Sequence, residues 1–245
     1  MIVVKNNFLT SEECNTILSA ASDTGFNPAH LIASDGSNYY DSNIRGGKIS
    51  FINLSTLTDS LVNKVKNAIE DYNQPYKIFF DEYTFQVTTY NEAEIGFKWH
   101  SDDSFYPITD LWRGRKITAV IELSDPSSYS GGQFEVSPDL GITPPINLVD
   151  STTNYSSNTT TSPQPDIVYH PVQTIDQEPT SGEVPTTYST NSNIGIVPSS
   201  SNIIYSRKGQ GDCIIFPSFL FHRVTPILKG SRSSLTVWCK GPRWA

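Results

Sequence analysis

Apolar positions in this chain follow a helical spacing over its first third and an alternating one after it. Residues 2–4 read as a short strand. Thr10-Ser11-Glu12-Glu13 then supplies an N-cap followed by early acidic residues, and Cys14, Ile17, Leu18 and Ala21 fall on one helical stripe. Gly25 and Pro28 end that helix, and residues 35–38 read as a loop. A second helix starts near Thr58-Asp59. Leu61, Val62, Val65, Ile69 and Tyr72 recur at helical spacing, Lys64, Lys66 and Glu70 lie off the stripe, and Gln74-Pro75 stops it. From Ile78 onward the period is two, with Phe79, Tyr83, Phe85, Val87 and Thr89 in strand-like runs. Residues 117–123, 133–136, 212–216 and 235–239 are further expected strands, separated by turns rich in Gly, Pro and Asp.

This alternation breaks down over about residues 137–206, too long a stretch for an ordinary connection. It is rich in Ser, Thr, Asn and Pro, as in Ser151-Thr152-Thr153-Asn154, and such a composition cannot bury enough surface to fold alone. Small apolar islands at 167–169 and 194–197 can still dock on a neighbouring surface. Strand patterns on both sides look like parts of one site, so the stretch is expected to be an insertion. A single domain over 1–245 follows, with helical support at about 1–75 and a β core at about 76–136 and 207–245. Only 17% of the 245 residues are charged, which agrees with a mainly β chain flanked by N-terminal helices.

The net charge of −8 excludes a general grip on nucleic acid, which needs a basic face. Cys14, Cys213 and Cys239 form no CxxC pair and read as reduced thiols. The opening residues turn polar too soon for a signal peptide, and no apolar run approaches membrane-spanning length. The expectation is a cytoplasmic protein with no membrane partner.

Four histidines are present, and two stand in suggestive surroundings. In Trp99-His100-Ser101-Asp102, side chains two apart on a strand or strand end point the same way, so His100 and Asp102 can face one metal. His222 follows another expected strand. Two imidazoles and one carboxylate on one face of an ion form a facial triad with open positions, which suits Fe(II). An HxD pair alone is weak evidence. Arg232, ten residues after His222, opens the apolar run Ser233-Ser234-Leu235-Thr236-Val237-Trp238, where its planar guanidinium can pair with a carboxylate. His30 and His170 lie in loop-like sequence and are expected to be exposed. Asp103 should point away from Asp102, Arg223 can touch a substrate at the rim, and Phe97 and Trp99 read as core or pocket wall.

With these residues in place, the segment from Tyr90 to Trp238 resembles the 2-oxoglutarate/Fe(II) dioxygenases of the prolyl 4-hydroxylase type, including those of bacteria and phages. Upstream, Asn7 to Cys14 resembles the opening helix of that group, and Arg45 with Ile49 and Phe51 resembles its first strand. The resemblance implies a double-stranded β-helix (jelly roll, cupin-like). It implies His100, Asp102 and His222 as iron ligands and catalytic residues, and Arg232 as the partner of the distal carboxylate of 2-oxoglutarate. It also implies that Tyr90 hydrogen-bonds that co-substrate and that Thr236 and Trp238 line the same pocket. Gly131-Gly132 and Gly211-Asp212 match family turns. The implied activity is hydroxylation of an unactivated C–H bond, in a peptidyl proline or another amino-acid side chain. Succinate and CO2 would be released, with dioxygen as co-substrate and ascorbate as a candidate reductant. A peptide, a protein or a small molecule could be the substrate.

Two departures stand out. Gln133 replaces the Glu common after the Gly pair, and Glu122 stands where relatives often place Tyr or Gln, near the distal carboxylate. A second carboxylate there would be repelled unless Arg232 or Arg115 neutralises Glu122, or unless Glu122 is protonated. The insertion and the loop at 102–107 each adjoin a strand bearing site residues and are expected to border the pocket. Competing readings are a non-catalytic jelly-roll module that uses the insertion as an interaction surface, and a different metal enzyme of the cupin or hydrolase kind.

Overall fold

The computed structural model describes residues 2–32, 37–103, 113–137, 204–205 and 209–242. Nearly all of the expected insertion, most of the 102–107 loop and His170 lie outside the described residues.

Two α-helices and fourteen strands make up the described chain. The helices are α1 (Ser11–Thr24) and α2 (Asp59–Asn73). The first half contributes β1 (Val3–Lys5), β2 (Asn27–Pro28), β3 (Leu31–Ile32), β4 (Asn38–Tyr39), β5 (Lys48–Phe51), β6 (Glu82–Asn91) and β7 (Phe97–His100). The second contributes β8 (Arg113–Glu122), β9 (Tyr129–Gly131), β10 (Phe134–Val136), β11 (Ile204–Tyr205), β12 (Cys213–Pro217), β13 (His222–Val224) and β14 (Ile227–Pro242). A large antiparallel sheet runs β1-β12-β8-β14-β6-β5-β2, with β9 also paired to β14. A smaller sheet runs β11-β10-β13-β7. The two sheets form the jelly roll expected from the family resemblance.

The period of two explains how one sheet serves two cores. On β8, β12 and β14, residues Ile117, Ala119, Ile121, Cys213, Ile215, Leu235, Val237 and Cys239 pack with the helices. The alternate residues Val120, Ile214 and Phe216 pack between the sheets with Phe134, Val136 and Val224. Among these inward positions stand polar ones: Thr118, Glu122, Arg232, Ser234 and Thr236.

Helix α1 begins as its sequence suggests. Thr10 Oγ1 accepts from the Glu13 N–H at 3.1 Å, and the Glu13 carboxylate accepts from the Thr10 N–H at 2.8 Å, forming a capping box. The helix is docked by its preceding residue, because the Leu9 N–H donates to Gly211 O. Gly211 has φ +84°, and a Cβ there would come within 1.9 Å of Leu9 O, so only glycine fits.

The strand expected from Ile78 starts later, at Glu82. The side-chain amide of Asn73, the last residue of α2, bonds both the N–H and the C=O of Ile78, at 2.9 and 2.8 Å. A side chain thus satisfies backbone groups that a strand ladder would otherwise take, and Phe79 is left exposed. Cys14, Cys213 and Cys239 are free and buried. Burial raises the Cys14 and Cys213 thiols to about 11 and about 12, so they are inert packing groups. Among the described residues, no helix is long and apolar enough to cross a membrane.

Ile121 is fully buried between the large sheet and the helices. Ile121→Ala is expected to lower the unfolding free energy by about 2–5 kcal/mol, read by denaturant titration. A loss below about 1 kcal/mol would mean that the helix layer is not packed tightly there.

Candidate metal centre

His100, Asp102 and His222 come together at one end of the space between the sheets. One ligand atom from each lies within 4.8 Å of the other two, and all three side chains are buried. His222 is paired directly with His100 across β13 and β7. Their rings stand 4.2 Å apart, and His222 Nε2 is 3.4 Å from Asp102 Oδ2. Asp102 lies just past the end of β7, held by its N–H, which donates to Ser218 O at 2.8 Å.

A β-bulge shapes this end of the small sheet. Phe97 pairs with Val224 and His100 with His222, so three steps on β7 face two on β13. The extra residue reverses the facing of the side chains. Phe97 and His100 would point to opposite faces of a regular strand, yet here their rings stack at 3.5 Å.

Hydrogen bonds fix the tautomers. His100 Nδ1 lies 2.7 Å from Lys98 O, and His222 Nδ1 lies 2.9 Å from Leu220 O. A carbonyl only accepts, so each Nδ1 carries a proton and each Nε2 is the nitrogen left to face a metal. Asp102 Oδ2 accepts from Thr118 Oγ1 at 2.9 Å and from Trp238 Nε1 at 2.8 Å, and Arg115 Nη1 is 3.3 Å from Oδ1. Burial opposes a charge on Asp102, but His222, Arg115 and His100 hold its carboxyl well below the usual carboxylate range. Two imidazoles that each turn Nε2 toward the other ligands and a carboxylate held in its charged form, each oriented by a second group, fit a divalent transition metal such as Fe(II).

Beside the triad opens a cavity of about 340 Å³. Thr236 and Trp238 line it, and so do Phe97, Gln86, Arg45 and Arg115. The Arg45 guanidinium lies 4.7 Å over the Phe97 ring, and that of Arg115 lies 3.8 Å over the Trp238 ring. Among the described lining residues Asp102 is the only carboxylate, so this part of an acidic chain is locally basic.

Arg232 and Tyr90 are not on the cavity wall. Arg232 is 1% exposed, and its Nε and Nη2 both donate to Glu122 Oε2, at 2.9 and 2.8 Å. Its Nη1 is 3.5 Å from Ser234 Oγ. Burial works against the Arg232 charge, whereas Glu122, Tyr129 and Tyr90 sustain it. Gly132 makes room for this pair: a Cβ there would lie 2.9 Å from Arg232 Cδ and 2.5 Å from Ile227 Cδ1. Tyr90 is buried between Arg45 and Arg232. Burial pushes its hydroxyl up, against the pull of both guanidiniums.

Other residues singled out in the sequence have plainer places. Arg223 donates to Glu135 Oε2 at 2.6 Å and lies over the Trp99 ring at 5.0 Å. Asp103 accepts from Ser101 Oγ, and His30 is exposed at the cavity mouth. Sequence reasoning missed Thr118, although Thr118 and Glu122, four apart in the apolar run at 117–123, share one face of the strand. It also missed Arg115 as a neighbour of Asp102. Between Cys239 and Lys240 the β14–β8 ladder shifts by one residue, pairing Lys240 with Arg115 and Cys239 with Ile117. That bulge reverses the facing of β8 and turns Arg115 toward Trp238.

No family model matches the sequence, and no curated protein matches it. Solved structures do resemble the fold. A prolyl-4-hydroxylase of Pseudomonas putida matches with a TM-score of 0.59 at 14% identity, over 98% of this chain and 92% of that one. A prolyl hydroxylase of Trichoplax adhaerens, in complex with a hypoxia inducible factor peptide fragment, matches at 0.57 and 15%, over 97% and 82%. The viral collagen prolyl hydroxylase of Paramecium Bursaria Chlorella virus-1, in a 2OG complex, matches at 0.54 and 12%, over 98% and 96%. The fold of this chain is therefore that of the prolyl-hydroxylase-type 2-oxoglutarate/Fe(II) oxygenases.

Proposed function

We propose that the chain is an Fe(II)- and 2-oxoglutarate-dependent oxygenase that hydroxylates an unactivated C–H bond of an amino-acid side chain, with peptidyl proline as the leading candidate. The observation that carries this reading is the buried His100-Asp102-His222 cluster, whose two Nδ1 atoms are spent on backbone carbonyls. A structural histidine needs no such pairing with a second histidine and an ionised carboxylate.

When bound, the iron and the keto acid supply the oxidative chemistry, with succinate and CO2 as products. The protein's own groups orient and shield. His100, Asp102 and His222 would hold the ion. Thr118, Trp238 and Arg115 hold the carboxylate ligand, and Phe97 braces the His100 ring. Phe97 and Trp238 flank the triad with apolar surface that keeps water out, while Arg45 and Arg115 attract anionic groups to the cavity. Arg232 is assigned to the distal carboxylate of the keto acid, with Tyr90 beside it and Thr236 on the wall. A peptide substrate accords with the Trichoplax relative, which was captured with a peptide. The whole chain is read as one oxygenase domain interrupted by the insertion at about 137–206.

Anaerobic addition of Fe(II) and 2-oxoglutarate is expected to produce a weak visible metal-to-ligand absorption band. His222→Ala should lose it and His170→Ala should keep it. Absence of the band in the intact protein, with a known relative giving it under the same handling, would favour a non-catalytic module. Succinate release against a peptide panel then identifies the substrate.

A further inference from the structure

Arg45 brings to the cavity wall a positive charge that no carboxylate among the described residues pairs with. This inference rests on the proposed reading of the chain as a 2-oxoglutarate-dependent oxygenase and concerns its prime substrate. The backbone fixes the residue in place. Arg45 bridges Phe97 in antiparallel fashion, with the Gly46 N–H donating to Gly96 O at 2.8 Å and the Lys98 N–H donating to Ile44 O at 3.1 Å. The guanidinium lies over the Phe97 ring, which stacks in turn on the His100 ring. Its Nη1 donates to His30 O at 3.3 Å, at the cavity mouth, whereas its Nε is buried with no hydrogen-bond partner.

The acids nearby are engaged elsewhere. Asp41 accepts from the Asn43 N–H at 2.8 Å, and Glu94 accepts from the Asn91 N–H at 2.7 Å. Asp102 pairs with Arg115 and is a metal ligand in the proposed reading. Burial pulls the Arg45 guanidinium below its usual value and Arg115 adds to the pull, against Tyr90 and Asp102. A guanidinium nonetheless keeps its proton. A partly buried charge of this kind costs free energy until an anion meets it. The distal carboxylate of the keto acid is assigned to Arg232, beyond Tyr90. Arg45 stands instead beside His30 at the mouth, where a prime substrate enters.

We propose that Arg45 is a specificity-determining residue for the prime substrate: it binds a carboxylate that stands close to the C–H bond being hydroxylated. The substrate class is an amino acid or peptide with a negative charge near the reacting carbon, supplied by a free α-carboxylate or by an acidic side chain. A carboxylate accepts from a guanidinium edge through two parallel N–H bonds, so it fixes orientation as well as affinity. Phe97 sets the spacing, because a single aromatic ring links the anchored charge to His100. Pro28, Ile49 and Phe51 continue the wall with apolar surface for the rest of the substrate.

The test uses the full chain loaded with Fe(II) and 2-oxoglutarate, and reads succinate release together with the anaerobic visible band. Two acid/amide pairs of probes are compared. One is a pool of end-blocked, mixed-sequence tetrapeptides containing Asp and Glu, against the same pool with Asn and Gln in their place. The other is a mixture of the free protein amino acids against the same mixture as C-terminal amides. In one pair the acid form is expected to be used about tenfold to a hundredfold better than the amide, and the pair that responds identifies the source of the carboxylate. Arg45→Gln should erase this preference while the 2-oxoglutarate titration of the band is retained, and Arg45→Lys should keep part of the preference. No acid preference in either pair, or one that survives Arg45→Gln, would overturn the proposal and leave the oxygenase reading standing. Loss of 2-oxoglutarate affinity in Arg45→Gln as large as the loss of preference would assign Arg45 to the co-substrate and also overturn it. No band and no succinate from the intact chain would overturn both.

Discussion

Asp102→Ala is expected to weaken Fe(II) binding by more than about a hundredfold and to abolish turnover with it. Loss of a group that merely orients a ligand costs about 10–100-fold in metal affinity, so loss of the ligand itself must cost more. The change also strips a charge from a buried site in which Thr118 Oγ1, Trp238 Nε1 and Arg115 Nη1 all aim at that carboxylate. A graded series makes the result interpretable. Trp238→Phe removes one donor while keeping an aromatic wall, and should fall between the native protein and Asp102→Ala. Metal affinity by competition with a chelating dye gives the order directly. Equal affinity in all three proteins would mean that Asp102 is an ordinary buried acid and the triad is not a metal centre.

The second large effect concerns stability. Arg232→Met leaves Glu122 buried without its counter-charge and is expected to cost about 3–5 kcal/mol of unfolding free energy. The double variant Arg232→Met/Glu122→Leu removes both charges and should recover most of that loss, because an apolar pair of similar bulk suits the space between the sheets. Chemical denaturation of the two single variants and the double variant reads the coupling. A cost below about 1 kcal/mol for Arg232→Met would show that the pair is solvated, contrary to its burial. This experiment requires no metal and no co-substrate.

These predictions separate what the chain reveals locally from what assembly adds. The helices were legible because their stripes, Cys14 to Ala21 and Leu61 to Tyr72, follow helical spacing and start at Thr caps. The triad was legible because His100 and Asp102 are two apart and His222 stands beside an apolar strand. The cavity role of Thr236 and Trp238 was expected from the resemblance, and both do line the cavity. Arg232 was recognisable as an inward guanidinium, and the sequence left Arg232, Arg115 or a proton as the means of neutralising Glu122; the fold selects Arg232, 110 residues away.

Alternation along a strand is a local property, so the sequence by itself determined the layers, the helical support and the residue types available for chemistry. Tertiary structure alone decided which of those residues meet. The bulge in β7 brings Phe97 under His100, and the bulge in β8 turns Arg115 inward to Asp102. The physical reason is that one extra residue in a strand reverses the facing of every side chain beyond it. That extra residue is defined only against the partner strand, and so it leaves no mark in the spacing of apolar positions.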